Sequence, residues 1–442
     1  MTKTLQLRWK LMFILGCWLA ASLPAYAQLN TVFSNIFTEI LDVRLQKSGS
    51  PGFHGTHFLE SAARANSDLV PGLNSLIAGN VSSLPLSSTS AGVLFDFSTG
   101  QPVRVAESMG PIFAETAKPL GKGKFLLEAN ITFEDLDQFR GLQTNQMLFT
   151  FTHKDVTADA TLGDNPNESD VIDVGMDLHT RVTMGSVFAT IGVTNDLDVS
   201  LALPIIMVRM NGTATANIRS FTFGRLGHAN HLFGGDTLNP ILQTKVPYDE
   251  TGSGIGDLAL RMKYSFFRGG DLDFAGLVDI RFPTGNKDNF LGSGKPTYRL
   301  WAILSKRVGS TTPHLNVGYA RKPADLQSDT FEFRGGFDTK LYSNLTFAFD
   351  VMGQVDLNSN EAIHLAPGSV TITDRVPNGQ SVRVVNLSNI PDSNNDNMYA
   401  ASFGFRYAPS DPIMLLGNIL LPMNNAGLRA QIASTVGVSI NF

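Results

Sequence analysis

Cysteine is nearly absent: Cys17 is the only one in 442 residues. A single thiol excludes an internal disulfide framework and a multi-thiolate metal site. Charge is also sparse. Asp, Glu, Lys and Arg make up 17% of the chain, where soluble proteins average roughly 25%. The balance is acidic, with a net of −5, which argues against the basic surface that a nucleic-acid partner requires. Past residue 27 no apolar run approaches the ~18 residues of a membrane-crossing helix.

The N-terminus speaks for export. Lys3, Arg8 and Lys10 precede the apolar stretch Leu11 to Ala21, and Ala25-Tyr26-Ala27 has the small-x-small pattern of a signal-peptidase site. A cleaved signal peptide over residues 1–27 is expected, with the cut before Gln28. The stretch is too short to be a membrane anchor, which needs ~20 residues. A lipoprotein cut at Cys17 would leave the apolar Trp18 to Ala27 on the mature chain. Cleavage before Gln28 removes Cys17 and three cations, so the net charge of −5 becomes near −8. An exported chain with neither disulfides nor a spanning helix is either a soluble periplasmic protein or a barrel whose strands pair all round.

Periodicity decides between them. Leu258, Leu260, Met262, Tyr264 and Phe266 alternate with Ala259, Arg261, Lys263 and Ser265. Leu272, Phe274, Gly276, Val278, Ile280 and Phe282 alternate with Asp273, Ala275, Leu277, Asp279 and Arg281. The same period of two runs through Phe125 to Phe133, Leu197 to Leu203, Phe331 to Asp338 and Leu345 to Met352. Period two is the mark of a strand with one oily and one polar face. Runs of roughly 9–13 residues suit strands tilted across a bilayer, whereas soluble strands average ~5–6.

Connections alternate in length. Short turns are expected at Lys118 to Gly123, Thr194 to Asp196, Arg268 to Asp271, Gly309 to Thr312, Tyr342 to Asn344 and Ala408 to Asp411. Longer loops are expected at Asp135 to Asp177, Asn211 to Gly254, Thr284 to Gly294, Pro323 to Ser328, Asp356 to Met398 and Asn424 to Arg429. Outer-membrane barrels have short periplasmic turns and longer outside loops. The last strand places Val436, Val438, Ile440 and Phe442 on one face. It resembles the C-terminal signal read by the barrel-assembly machinery, which is therefore an expected partner through Phe442, along with outer-membrane lipid.

The fold expected is all-β: a transmembrane antiparallel β-barrel of 12–14 strands behind an N-terminal, partly helical, plug-like segment. About 12 strands lie between Lys124 and Phe442, and Gly92 to Phe97 and Gln101 to Ala117 would make 14. Residues 28–105 form the plug or leader segment and 106–442 the barrel. In the former, Val32, Ile36, Ile40 and Leu41 have helical spacing, Phe58, Leu59, Ala62 and Ala63 repeat it, and Pro71 interrupts before Leu73 to Ala78.

If apolar faces meet lipid, the opposite faces line the lumen. They carry Glu128, Asp198, Asp257, Arg261, Lys263, Asp273, Asp279, Arg281, Glu332, Arg334, Asp338, Asp350 and Arg406. Neighbouring strands should bring Arg261 and Lys263 near Asp273 and Asp279. Such a wall either orients a solute or forms a salt-bridge network that fills the lumen or holds the plug. No cofactor, metal site or enzymatic activity is expected. None of His54, His57, His153, His179, His228, His231, His314 and His364 lies in a nucleophile motif. His228 and His231 read as residues of a solvated outer loop. The acidic Asp155 to Asp177 lacks the ligand spacing of a dedicated calcium loop.

Several stretches resemble the outer-membrane family named after the meta-pathway of phenol degradation: Gly110 to Glu115, Gly192 to Val199, Gly254 to Tyr264, Phe282 to Asn286 with Leu291 to Gly294, and Asn316 to Tyr319. The resemblance implies an outer-membrane transporter, often tied to aromatic-compound breakdown, and names no ligand. The expected function is passive uptake of a small, hydrophobic or aromatic solute. The rival is a plugged barrel whose outer loops bind a surface partner.

Overall fold

The structure, a computed structural model, describes residues 28–46, 55–86, 88, 94–96, 101–103, 108–359, 363, 365–376, 379–410 and 413–440. The expected signal peptide, His54, His364 and Phe442 lie outside these residues.

Twelve antiparallel strands form the wall. They are β1 (Lys124–Phe139), β2 (Val171–Gly192), β3 (Leu197–Arg219), β4 in two arms (Gln243–Ile255 and Leu258–Gly269), β5 (Leu272–Phe282), β6 (Thr297–Lys306), β7 (Thr311–Arg321), β8 (Thr330–Tyr342), β9 (Leu345–Asp356), β10 (Met398–Ser410), β11 (Ile413–Pro422) and β12 (Leu428–Ile440). Each pairs with its sequence neighbour, and β12 closes the barrel on β1 with Val436 opposite Ile131 and Val438 opposite Ala129. Closure leaves no free edge in the bilayer, where an unpaired N–H or C=O has no water to meet.

The faces are the reverse of a soluble protein's. Ile131, Phe133, Leu300, Leu304, Phe403, Phe405, Leu415 and Ile419 are exposed on the outside. Glu128, Asn130, Thr132, Thr190, Ser200, Ser402 and Asn418 are buried inside. An apolar belt around a polar interior is the pattern of a barrel in lipid.

The strand count is twelve, not fourteen. Leu94–Asp96 and Gln101–Val103 form a short hairpin whose first arm pairs Phe95 with Phe125 at the periplasmic end of β1. Residues 108–120 leave the sheet altogether. The wall has already closed between β12 and β1, and Pro111 and Pro119 lack the N–H that a ladder needs. Lys118 to Gly123 is accordingly not a strand-to-strand turn but the entry to β1. Two expected loops are partly strand: β2 and β3 stay paired from Gly192 with Asp198 out to Val171 with Arg219. That ladder is about twice the length a bilayer needs, so its outer half stands above the membrane. The outer half buries Ile172, Val174, Met176, Ala214, Ala216 and Ile218 against the N-terminal helices.

Those helices are α1 (Val32–Thr38), which runs on as a π-turn over Glu39–Arg44, α2 (Leu59–Arg64), a π-helical turn Ala65–Leu69, and α3 (Val70–Ser83). Pro71 does not end the helix. It falls in the first turn of α3, directly after the π-turn in which the Val70 N–H reaches back to Ala65 O. Proline removes a backbone donor and crowds the preceding turn, and a π-bulge accommodates that locally. Leu29, Phe33, Phe37, Ile40, Phe58, Leu73 and Ile77 are buried in one cluster with Leu136, Met176, Met184 and Ile206 from the inner wall and Phe149 from the β1–β2 connection. The helices therefore sit inside the outer half of the barrel.

Candidate functional site: the occupied lumen

Below the helices, residues 108–120 run down the lumen, and the inner wall grips their backbone. Arg406 is completely buried and bonds both Pro111 O (3.0 Å) and Glu128 Oε2 (3.2 Å). Arg334 donates to Phe113 O and lies 4.8 Å over the Trp301 ring. Asn316 clamps Glu115 from both sides, accepting from its N–H (2.6 Å) and donating to its carbonyl (2.8 Å). Lys263 reaches Thr116 O and Lys118 O (3.4 and 3.2 Å), and Asp198 accepts the Leu120 N–H at 2.9 Å. A strandless backbone crossing a packed interior must have its polar groups met. These side chains meet them.

Ion pairs support the same thread. Glu115 lies 3.7 Å from Arg261 and 3.8 Å from Lys263, and Lys263 is 3.6 Å from Asp198. Arg261 also pairs with Asp279 at 3.1 Å, its partner across β4 and β5. Asp273 stands across from Arg268 instead, nearer the periplasmic rim, so it is not the neighbour of Lys263 expected from the sequence. His314 bridges Asp350 (2.6 Å) and Asp338 (3.4 Å), and Asp338 also accepts from Ser108. Glu332 faces Arg299 at 3.6 Å. Arg281 donates to Ser82 O (2.6 Å) and Leu84 O (3.3 Å), the carbonyls at the C-terminus of α3. A cation there also complements the helix dipole.

Asp257 departs from the expected lumen wall. It lies in the break between the two arms of β4 and turns into the β5–β6 loop. Its oxygens accept from Gly285 N (3.0 Å), Ser293 N (2.8 Å) and Ser293 Oγ (2.6 Å). Thr284 Oγ1 donates to Gly256 O and accepts from Leu258 N. A Cβ at Gly292 would lie 2.3 Å from Asp257 Oδ1, so that glycine is a close-approach position. The separated motifs Gly254 to Tyr264, Phe282 to Asn286 and Leu291 to Gly294 are thus one lock in space. Gly192 has a similar reason: a Cβ there would lie 1.9 Å from Gly121 O, where the thread leaves the lumen.

Residues not singled out by sequence complete the site. Arg299, Glu115, His314, Glu134 and Arg429 are all buried and inward-facing. Arg299 follows the alternation of its strand, a legible signal. Glu115 and Arg429 lie in irregular backbone, where parity gives no face.

On the outer side, the helices are latched to the β1–β2 loop. His57 Nδ1 and His153 Nε2 are 3.0 Å apart, and Lys154 N donates to His57 O. Lys154 pairs with Glu60 at 2.7 Å. His231 is not a solvated loop residue: it is fully buried, 2.8 Å from Asp170, with its ring against His153 and Phe58. Burial pulls the His153 imidazole down to about 3, aided by the His231 and His57 rings. His228 is half-buried, its Nδ1 3.2 Å from Leu226 O, and His179 pairs with Asp177 outside. Among the described residues no cluster of His, Cys, Asp and Glu could hold a metal ion. In the acidic loop, Asp155 is taken up by the N–H groups of Thr157, Ala158 and Ala160.

A cavity of about 140 Å³ remains between α3 and the wall of β1, β5, β6 and β8–β12. It adjoins the place where β11 and β12 part, since their ladder ends at Leu420 with Ala433 and leaves Leu428 to Ile432 paired with β1 alone or bulged.

No curated protein matches the chain. Among solved structures it is similar to an outer membrane channel from Pseudomonas putida F1, at 10% identity and a TM-score of 0.41 over 72% of this chain and 95% of that one. It is also similar to the toluene transporter TbuX of Ralstonia pickettii, at 11% identity and 0.30 over 82% and 99%. A third similar structure is a FadL homologue of Pseudomonas aeruginosa, at 8% and 0.29 over 71% and 88%. The family model described as "Putative MetA-pathway of phenol degradation" matches residues 188–421, more than half of the chain, and the chain belongs to that family.

Proposed function

We propose that the protein is an outer-membrane transporter for passive uptake of a small solute with an aromatic or other apolar body, and that the N-terminal helices together with residues 108–120 act as its plug. The observation that carries this is the filled lumen: helices above, packed on the apolar outer half of the wall, and a thread below, clamped by its polar inner half. A barrel needs no inner segment of this kind merely to stay closed. The family description, which refers to phenol degradation, supports an aromatic solute. Export by a cleaved signal peptide, and insertion by the assembly machinery through the strand ending at Phe442, belong to the same reading.

The test ties the plug down. Gly79 on α3 faces Gln327 on the β7–β8 connection, with a Cβ at Gly79 reaching 2.7 Å from Gln327 Cγ. A disulfide between these two touching positions would tie α3 to the wall, and no cysteine follows Cys17. The Gly79→Cys, Gln327→Cys protein is expressed in porin-deficient cells, and initial uptake of labelled phenol and benzoate is followed separately. Reduced protein should raise the rate of at least one severalfold over empty cells, and oxidised protein should return it to baseline. No increase in either state would overturn transport of aromatics. Equal increases in both would overturn movement of the plug.

A further inference from the structure

The 140 Å³ cavity is unlike the rest of the lumen in its charge. Four guanidinium groups, of Arg281, Arg299, Arg334 and Arg429, line it against two carboxylates, Glu134 and Glu332. Cations outnumber carboxylates here, and several donors are left over, where elsewhere in the lumen Arg406 Nε alone among the described arginines is so left. Arg281 Nε, Arg299 Nη1 and Arg429 Nε are buried N–H groups that meet no acceptor in the protein. Arg281 and Arg299 are 7% and 4% exposed, so solvent does not meet the demand either. A buried, unpaired donor on a charged group is costly, and its natural complement is an anion that accepts from more than one guanidinium.

Register explains the convergence. On the β5–β6 ladder Arg281 faces Thr297 and Asp279 faces Arg299, so the two arginines are diagonal neighbours on the inner face. Arg281, Arg299 and Arg334 also line a smaller cavity of about 20 Å³ toward the periplasmic end, which makes them the floor between the two. The other side of the larger cavity is apolar, with Met352, Met398 and Leu420. Its size is that of a cavity known to take one benzene ring, about 150 Å³. A small inorganic anion would leave this apolar side unmatched.

We propose that this cavity is a binding site for a small organic carboxylate, its carboxylate held between Arg281 and Arg299 and its apolar body against Met352, Met398 and Leu420. As a statement of substrate class this rests on the transport reading; as a binding site it does not. Arg281 is shared, because its other nitrogens hold the C-terminal carbonyls of α3. The ligand therefore arrives at the residue that fastens the plug.

The experiment is isothermal titration calorimetry on the purified full chain, with benzoate, the neutral benzyl alcohol and sulfate as probes. Benzoate should bind at least tenfold more tightly than either of the others, and Arg299→Gln should weaken benzoate at least tenfold while leaving benzyl alcohol unchanged. Absence of benzoate binding, equal binding of benzyl alcohol or sulfate, or unaltered benzoate affinity in a folded Arg299→Gln barrel would overturn the site. If that variant fails to fold, the contrast among the three probes on the unaltered protein decides. Benzoate binding by a protein that moves no solute would sustain the site and remove the transport reading. Uptake of benzoate without measurable binding would do the reverse.

Discussion

Asp257 accepts three hydrogen bonds across a break in its own strand, from a loop about 30 residues further on. Bonds to an ionised group contribute more than neutral ones, and donors left buried without it cost more still. Asp257→Ala should therefore destabilise the barrel by about 3 kcal/mol, read as a lower urea midpoint for unfolding in lipid vesicles. An unchanged midpoint would contradict the lock. This residue also marks a limit of reading by alternation. Parity along Leu258 to Phe266 extends backward to put Asp257 on the inner face, but the strand is interrupted at Gly256 and Asp257. Arg261, Asp279, Arg281, Glu332 and Arg406 lie in unbroken ladders, and there parity gives the face they occupy.

Among elements, the docking of the helical segment on the β1–β2 loop is sensitive to acid. His153 faces His57 and His231 as rings, with Asp170, Lys154 and Glu60 around them. Its folded value of about 3 lies below the ordinary 6.5. Between those two values the undocked or unfolded chain binds a proton that the docked one refuses, so the contribution is complete above pH 6.5 and is lost progressively as pH falls. Amide exchange over residues 55–64 should accelerate on going from pH 7.5 to 5, after correction for intrinsic rates, and His153→Phe should abolish the difference. Equal protection at both pH values would contradict the latch. The helices themselves were partly legible: Val32, Ile36 and Ile40 predict α1, but Pro71 suggests a stop where the π-turn lets the helix continue. The fit of these helices inside the barrel was only suggested by their apolar clusters, because the lumen they fill is built from residues far away in sequence.

At the scale of the whole molecule, alternating faces and alternating loop lengths were enough for a closed antiparallel barrel in the outer membrane. The ambiguity between 12 and 14 strands arose because residues 101–117 carry apolar residues that could belong to a wall or to a filled interior. The structure assigns 108–120 to the interior, where Gly110, Pro111 and Pro119 interrupt any ladder and buried side chains take over their hydrogen bonds. The central claim is that this segment and the helices before it close an otherwise passable barrel. Conductance in a planar bilayer tests it most directly, comparing the protein with a form lacking residues 28–120. The intact protein should stay closed and the shortened one should show stable open-channel currents. A shortened barrel that is folded yet remains closed, or an intact protein that conducts equally well, would contradict the account.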